Sequence, residues 1–142
     1  MIGLVIATHG ELSNGLMDAV GVIMGSSEAV STVSLKNEIG IEVFKADLEK
    51  AVEKVGSKDG VLILTDLQGG TPYNSSIFIS NSEIFNFNIK VVSGVNLPML
   101  LETLALRENC NLQELASISM ESGIKGINIA VVSNDYDEDD DL

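Results

Sequence analysis

The sequence predicts an α/β fold: a single open, mainly parallel sheet with helices on both faces. Three observations carry this. Short apolar runs rich in β-branched residues, at residues 2–7, 30–35, 61–65, 89–93 and 127–132, alternate with longer segments of helical period. The runs are apolar nearly throughout, as strands covered on both faces must be. A chain of 142 residues, 45% of them apolar, suffices for one domain with a real core and is short for two.

Residues 2–7 lack a basic leader and the full apolar centre of a signal peptide, so they read as a first strand of the mature protein. Leu12, Leu16, Val20, Ile23 and Met24 then recur at spacings of three and four, one stripe of an amphipathic helix that ends near Gly25. After the second run, Val43, Phe44, Leu48, Ala51, Val52 and Val55 form another such stripe. Strand, helix, strand in this order is normally a right-handed crossover between parallel strands. The third run enters Asp66-Leu67-Gln68-Gly69-Gly70-Thr71-Pro72-Tyr73-Asn74, where Thr71 is predicted as a helix N-cap and Pro72 as the first helical residue. The fourth passes through Val95-Asn96-Leu97-Pro98 into a helix over 99–107, which Asn96 and Pro98 initiate. Asn111 with Glu114 has the pattern of a capping box for a helix over 112–121, and 127–132 is the last strand. One domain over residues 1–133 is expected. A tail over 134–142, with acids at Asp135, Asp137, Glu138, Asp139, Asp140 and Asp141, is expected to be solvated and disordered.

Eight basic against 21 acidic side chains give a formal charge of −13, and the tail holds about half of that imbalance. This sign repels nucleic-acid backbones and acidic lipid surfaces, so neither is an expected partner. No stretch approaches the roughly 18 apolar residues of a membrane span, which argues against direct membrane insertion. A lone cysteine, Cys110, cannot form an internal disulfide, and one histidine without a cysteine cluster argues against a zinc site. A reducing, cytoplasmic setting fits this composition. Met17, Met24, Met99 and Met120 read as packing residues, and Cys110 as an inert thiol.

The chemistry concentrates at two strand ends. His9 directly follows the first run in Ala7-Thr8-His9-Gly10, and Asp66 follows the third in the same way. Spacing alone leaves the strand order open, but the order 2-1-3-4 brings the glycine-bearing turns together. It also makes the first and third strands neighbours from which the chain winds in opposite directions, the crevice where open parallel sheets bind ligands. A carboxylate beside an imidazole accepts the N–H of one ring nitrogen and leaves the other as a nucleophile. Such a nitrogen could attack phosphorus, with the Gly69-Gly70-Thr71 turn offering backbone N–H groups and a hydroxyl to the phosphoryl oxygens. The same pattern is compatible with His9 merely ending a strand and Asp66 capping a turn.

Other chemistries find less support. Neither the nucleophile-elbow string G-x-S-x-G nor the Walker A pattern occurs. The one arginine is Arg107, and no lysine lies between Lys58 and Lys90, so the 66–74 loop has no local cation for a nucleotide polyphosphate. A glycosidase pair of Asp66 with Glu11 has little specificity.

Three separated motifs now stand in order: Thr8-His9-Gly10, then Asp66 to Asn74, then Gly94-Val95-Asn96-Leu97-Pro98-Met99-Leu100. Together, over roughly residues 1–132, they resemble the IIA component of the mannose family of the bacterial phosphotransferase system, of the mannose, fructose and sorbose type. The resemblance implies a phosphocarrier that needs no metal or nucleotide cofactor. His9 would take a phosphoryl group from phospho-HPr and pass it to a IIB component, here on a separate chain, with the membrane components IIC and IID engaged only indirectly. Asp66 would hold Nδ1–H so that Nε2 of His9 is phosphorylated, and Thr71 would lie beside the phosphoryl group. The resemblance further implies a homodimer, in which the last strand is added antiparallel to the partner's sheet. Such a swapped strand would cover an exposed edge. Two alternatives stand beside this reading: the phosphotransfer subunit of dihydroxyacetone kinase, which usually lacks the Gly-Gly-Thr-Pro string, and a regulatory module switched by phosphorylation of His9. The sugar itself is not legible in this chain.

Overall fold

The computed structural model describes residues 1–37 and 40–132. Four strands, β1 (Gly3–His9), β2 (Val30–Leu35), β3 (Val61–Thr65) and β4 (Ile89–Val92), form one sheet in the order β2-β1-β3-β4. Every pair in it is parallel. Five helices complete the described chain: α1 (Leu12–Met24), α2 (Ile41–Val55), α3 (Thr71–Ser80), α4 (Leu97–Leu106) and α5 (Leu112–Lys125).

The pleat sorts alternate strand residues into two cores, because successive side chains point to opposite faces. Val5, Ala7, Val61 and Ile63 meet Phe44, Leu48, Val52 and Val55 of α2 and Ile79 of α3. Leu4, Ile6, Leu62 and Leu64 meet Val20 of α1, Met99 and Leu100 of α4, and Leu112 and Leu115 of α5. β1 and β3 are the central strands, and all of their core residues are essentially buried. This is why both read as continuous apolar runs rather than alternating ones.

Local signals set the helix ends. Asn96 caps α4 by accepting the Met99 N–H at 3.0 Å, and its amide also donates to Gly123 O at 3.0 Å, tying the start of α4 to α5. Asn111 and Glu114 form a reciprocal capping box at the start of α5. The predicted start of α3 is corrected by one residue. Gly70, in an extended conformation, is the N-cap, and Thr71 lies inside the first turn with Pro72. Proline is tolerated there because first-turn N–H groups have no partner within the helix.

The sequence gives no hint of the Arg107 clamp. This nearly buried guanidinium donates to the carbonyls of Glu28, at 2.5 Å, and Ala29, at 3.3 Å. It thereby ties the end of α4 to the loop entering β2. Burial lowers its pKa, against the opposing pull of Glu108 and Glu28.

A second correction concerns residues 127–132. They form no strand in this single chain, and Ile127, Ile129, Val131 and Val132 are exposed. A strand needs a paired edge to satisfy its N–H and C=O groups, and among the described residues this segment is paired with no strand. The methionines also divide. Met99 is buried, whereas Met24 and Met120 are exposed. The acidic tail lies outside the described residues.

Candidate functional site

Parallel pairing of β1 with β3 matches Ala7 with Thr65, so the chain leaves both strands at the same end of the sheet, with His9 and Asp66 just beyond. The two residues meet. His9 Nδ1 lies 3.1 Å from Asp66 Oδ1 and 3.0 Å from Oδ2, and the backbone N–H of His9 donates to Oδ2 at 3.0 Å. A carboxylate only accepts, so Nδ1 carries the proton and Nε2 presents its lone pair in the neutral ring. The Asp66 side chain is 14% exposed and that of His9 46% exposed, so the orienting acid is sheltered while the nitrogen it prepares is accessible.

The loop after His9 is held from below. Thr8, fully buried, uses its hydroxyl to accept the Ser13 N–H at 2.8 Å, which satisfies a first-turn donor of α1. On the open side, Glu11 pairs with Lys36 at 2.9 Å and accepts from Asn14 at 2.9 Å. The Asn14 hydrogen bond, followed by Lys36, holds the Glu11 carboxyl below the usual carboxylate range. Glu11 is therefore engaged with Asn14 of α1 and with Lys36 just after β2, and no described contact pairs it with Asp66.

The glycine turn closes the other side. Leu67 to Gly70 form a β-turn, with Gly70 N–H donating to Leu67 O at 3.1 Å. Gly69, its third residue, has φ +84°, as a type II turn requires. Gly70 approaches the imidazole so closely that a Cβ there would stand 2.8 Å from His9 Cε1 and 3.4 Å from Nε2. Of the predicted phosphoryl-binding residues, Gly70 thus touches the histidine. Gly69 shapes the turn, and Thr71 begins the helix that follows it. Helix α3 has no side-chain cap at its N-terminus, and Pro72 contributes no donor there. That end lies beside the His9 ring with first-turn N–H groups, an arrangement suited to an anion.

The imidazole of His9 is accessible from solvent. Depressions of about 630 and 920 Å³ lie elsewhere, one lined by Asp59, Arg107 and Asn111 and the other by Phe85, Phe87 and Lys90; neither includes His9 or Asp66. A nucleophile this exposed is open to a group presented by another macromolecule. Cys110 does not compete as a nucleophile. Burial, reinforced by Glu114, pushes its thiol pKa up.

Comparison with known proteins identifies the family. A family model described as "PTS system fructose IIA component" matches residues 3–120. The fructose-specific EIIA component of the phosphotransferase system of Bacillus subtilis is 34% identical over 116 residues, covering 81% of this chain and 77% of that protein. The mannose-specific EIIAB component of Escherichia coli K12 is 30% identical over 127 residues, which are 89% of this chain but 38% of that longer protein. The crystal structure of a phosphotransferase system EIIA component from Streptococcus agalactiae superposes with a TM-score of 0.83 at 31% identity, covering 91% of this chain and 97% of that one. No helix among the described residues is long and apolar enough to cross a membrane. By motif, by sequence similarity and by fold, the chain belongs to the mannose-type IIA family of the bacterial phosphotransferase system.

Proposed function

We propose that this protein is a cytoplasmic phosphohistidine carrier, in which Nε2 of His9 accepts a phosphoryl group from phospho-HPr and passes it to a IIB component for sugar uptake. The observation that carries this reading is the Asp66 carboxylate on His9 Nδ1, which leaves Nε2 as the nucleophilic atom. The lone pair of Nε2 attacks phosphorus, the bond from phosphorus to the donor nitrogen breaks, and that nitrogen keeps the electron pair. As the Nε2–P bond forms, the ring gains positive charge, and Asp66 stabilises it through Nδ1–H. The α3 N-terminus and the Gly69-Gly70-Thr71 turn receive the phosphoryl oxygens. Transfer to IIB repeats the displacement with the IIB nucleophile attacking.

Incubation with phosphoenolpyruvate, enzyme I and HPr should label the chain on His9, and addition of the cognate IIB should discharge it. A chain that stays unlabelled would sink the proposal. A chain that is labelled but never discharged would favour the regulatory reading over a carrier. Gly70→Ala supplies a local check. The added methyl would meet the ring at 2.8 Å, so the imidazole must shift. Uptake of the phosphoryl group is expected to slow by about 10- to 100-fold, since sub-ångström misplacement is costly in a direct displacement. Stopped-flow labelling would measure this, and an unchanged rate would show that the turn does not set the position of the ring.

The exposed segment 127–132 supports the homodimer of the same proposal. Ile127, Ile129 and Val131 alternate as one face of a strand, while β4 pairs with β3 and, among the described residues, with no strand on its other side, leaving an edge near Tyr73 and Met120. Pairing of this segment with the β4 edge of a second copy would cover both. Removal of residues 127–142 should give a monomer by sedimentation. A truncated chain that still sediments as a dimer would exclude this segment as the link.

A further inference from the structure

We infer that Asn74 is a positioning residue for phosphoryl transfer, acting through the Gly69–Gly70 peptide; this role rests on the phosphocarrier reading above. The peptide is pinned at both of its polar atoms. Gly70 N–H is held by Leu67 O at 3.1 Å, and Gly69 O accepts from Asn74 Nδ2 at 3.1 Å. The backbone N–H of Asn74 also holds Gly70 O at 2.9 Å. One residue in the first turn of α3 therefore engages both glycine carbonyls.

The need for such a lock follows from the sequence. Two adjacent glycines have the widest choice of backbone conformations, and a peptide flanked by glycines can turn over with little steric penalty. Gly69 has φ +84° and nothing within 4 Å of where a Cβ would stand, so packing does not restrain it. Gly70 is also the residue that abuts the His9 ring. If the peptide turned over, the Gly70 N–H would leave Leu67 O, the turn would open, and the backbone of Gly70 would move from the His9 ring. By occupying Gly69 O, Asn74 keeps the turn in the form that sets Gly70 against the imidazole, and so helps to hold Nε2 in place for attack. The bond is exposed to solvent, so water competes for the same oxygen and the effect is that of one ordinary hydrogen bond.

The test compares the wild-type chain with Asn74→Ala and Asn74→Leu. Both variants are uncharged, both lack the donor, and leucine keeps the side-chain size. Either residue suits an exposed helical position, so both variants are expected to fold. HPr kept charged by enzyme I and phosphoenolpyruvate serves as donor, with rates measured across a range of HPr concentrations. The expected result is a drop in kcat of about three- to tenfold, the population effect of one net hydrogen bond, with KM within twofold of wild type. In both variants the Gly69 carbonyl ¹³C resonance should move. Unchanged kcat in the two variants overturns the inference. A raised KM with unchanged kcat also overturns it, because Asn74 would then be a contact for HPr. A wild-type chain that takes no label removes the phosphocarrier reading and this role together, and so is distinguishable from labelled variants that behave as wild type.

Discussion

Replacing His9 by alanine is expected to abolish phosphoryl uptake, lowering the labelling rate by at least about a thousandfold while leaving the fold intact. The chain has one histidine, so no second imidazole can substitute. Cys110 is no alternative, because its thiolate is disfavoured and it belongs to the region of Asp59 and Asn111, away from His9. Ser and Thr hydroxyls would need a neighbouring base, and none of them hydrogen-bonds to Asp66 among the described contacts. The fold should tolerate the change because the His9 side chain is 46% exposed and hydrogen-bonds only to Asp66 among the described contacts. Backbone anchoring by Asp66 survives in the variant. Thermal denaturation alongside the labelling assay would check both halves of this expectation.

The second large effect is expected from Asp66→Ala. Without the carboxylate the imidazole samples both tautomers and several orientations, and in one tautomer Nε2 carries the proton and cannot attack. The charge that develops on the ring also loses its counterpart. Transfer from phospho-HPr should slow by about 100-fold, the usual penalty for a misplaced reacting group. Because phospho-HPr docks on a surface that this substitution barely alters, the loss should fall on kcat rather than on KM. Part of any change in stability would come from the freed N–H of His9, which normally bonds Asp66 Oδ2. Rapid-quench measurement at saturating phospho-HPr separates the two. A wild-type rate in the alanine variant would show that the contact is structural.

The central part of the fold and site was legible because strong local signals agreed with topology. The continuous apolar character of residues 2–7 and 61–65 marked central parallel strands, and in the order 2-1-3-4 that choice alone brings His9 beside Asp66. Capping chemistry at Asn111 and Glu114 was legible for the same reason, since it depends on residues only three apart. What the sequence could not supply were contacts set by fine geometry. Thr71 and Gly70 are both acceptable N-caps, and the extended backbone of Gly70 decided between them. Approach of Gly70 to the ring and the bond from Asn74 to Gly69 depend on the path of the turn, although the adjacent glycines and Asn74 already stood in the motif. Arg107 finds its carbonyl partners in Glu28 and Ala29, some eighty residues away, with no pattern to announce them. The run over 127–132 has strand character, but a strand is a property of two paired edges, and among the described residues this segment is paired with no strand.

The atom that becomes phosphorylated tests the account most directly. With the ring ¹⁵N-labelled, coupling to ³¹P in the phosphorylated protein identifies the bonded nitrogen. Phosphorus is predicted on Nε2 of His9, with Nδ1 still protonated and hydrogen-bonded to Asp66. Phosphorus on Nδ1, or on any other residue, would contradict the role assigned to the His9–Asp66 pair.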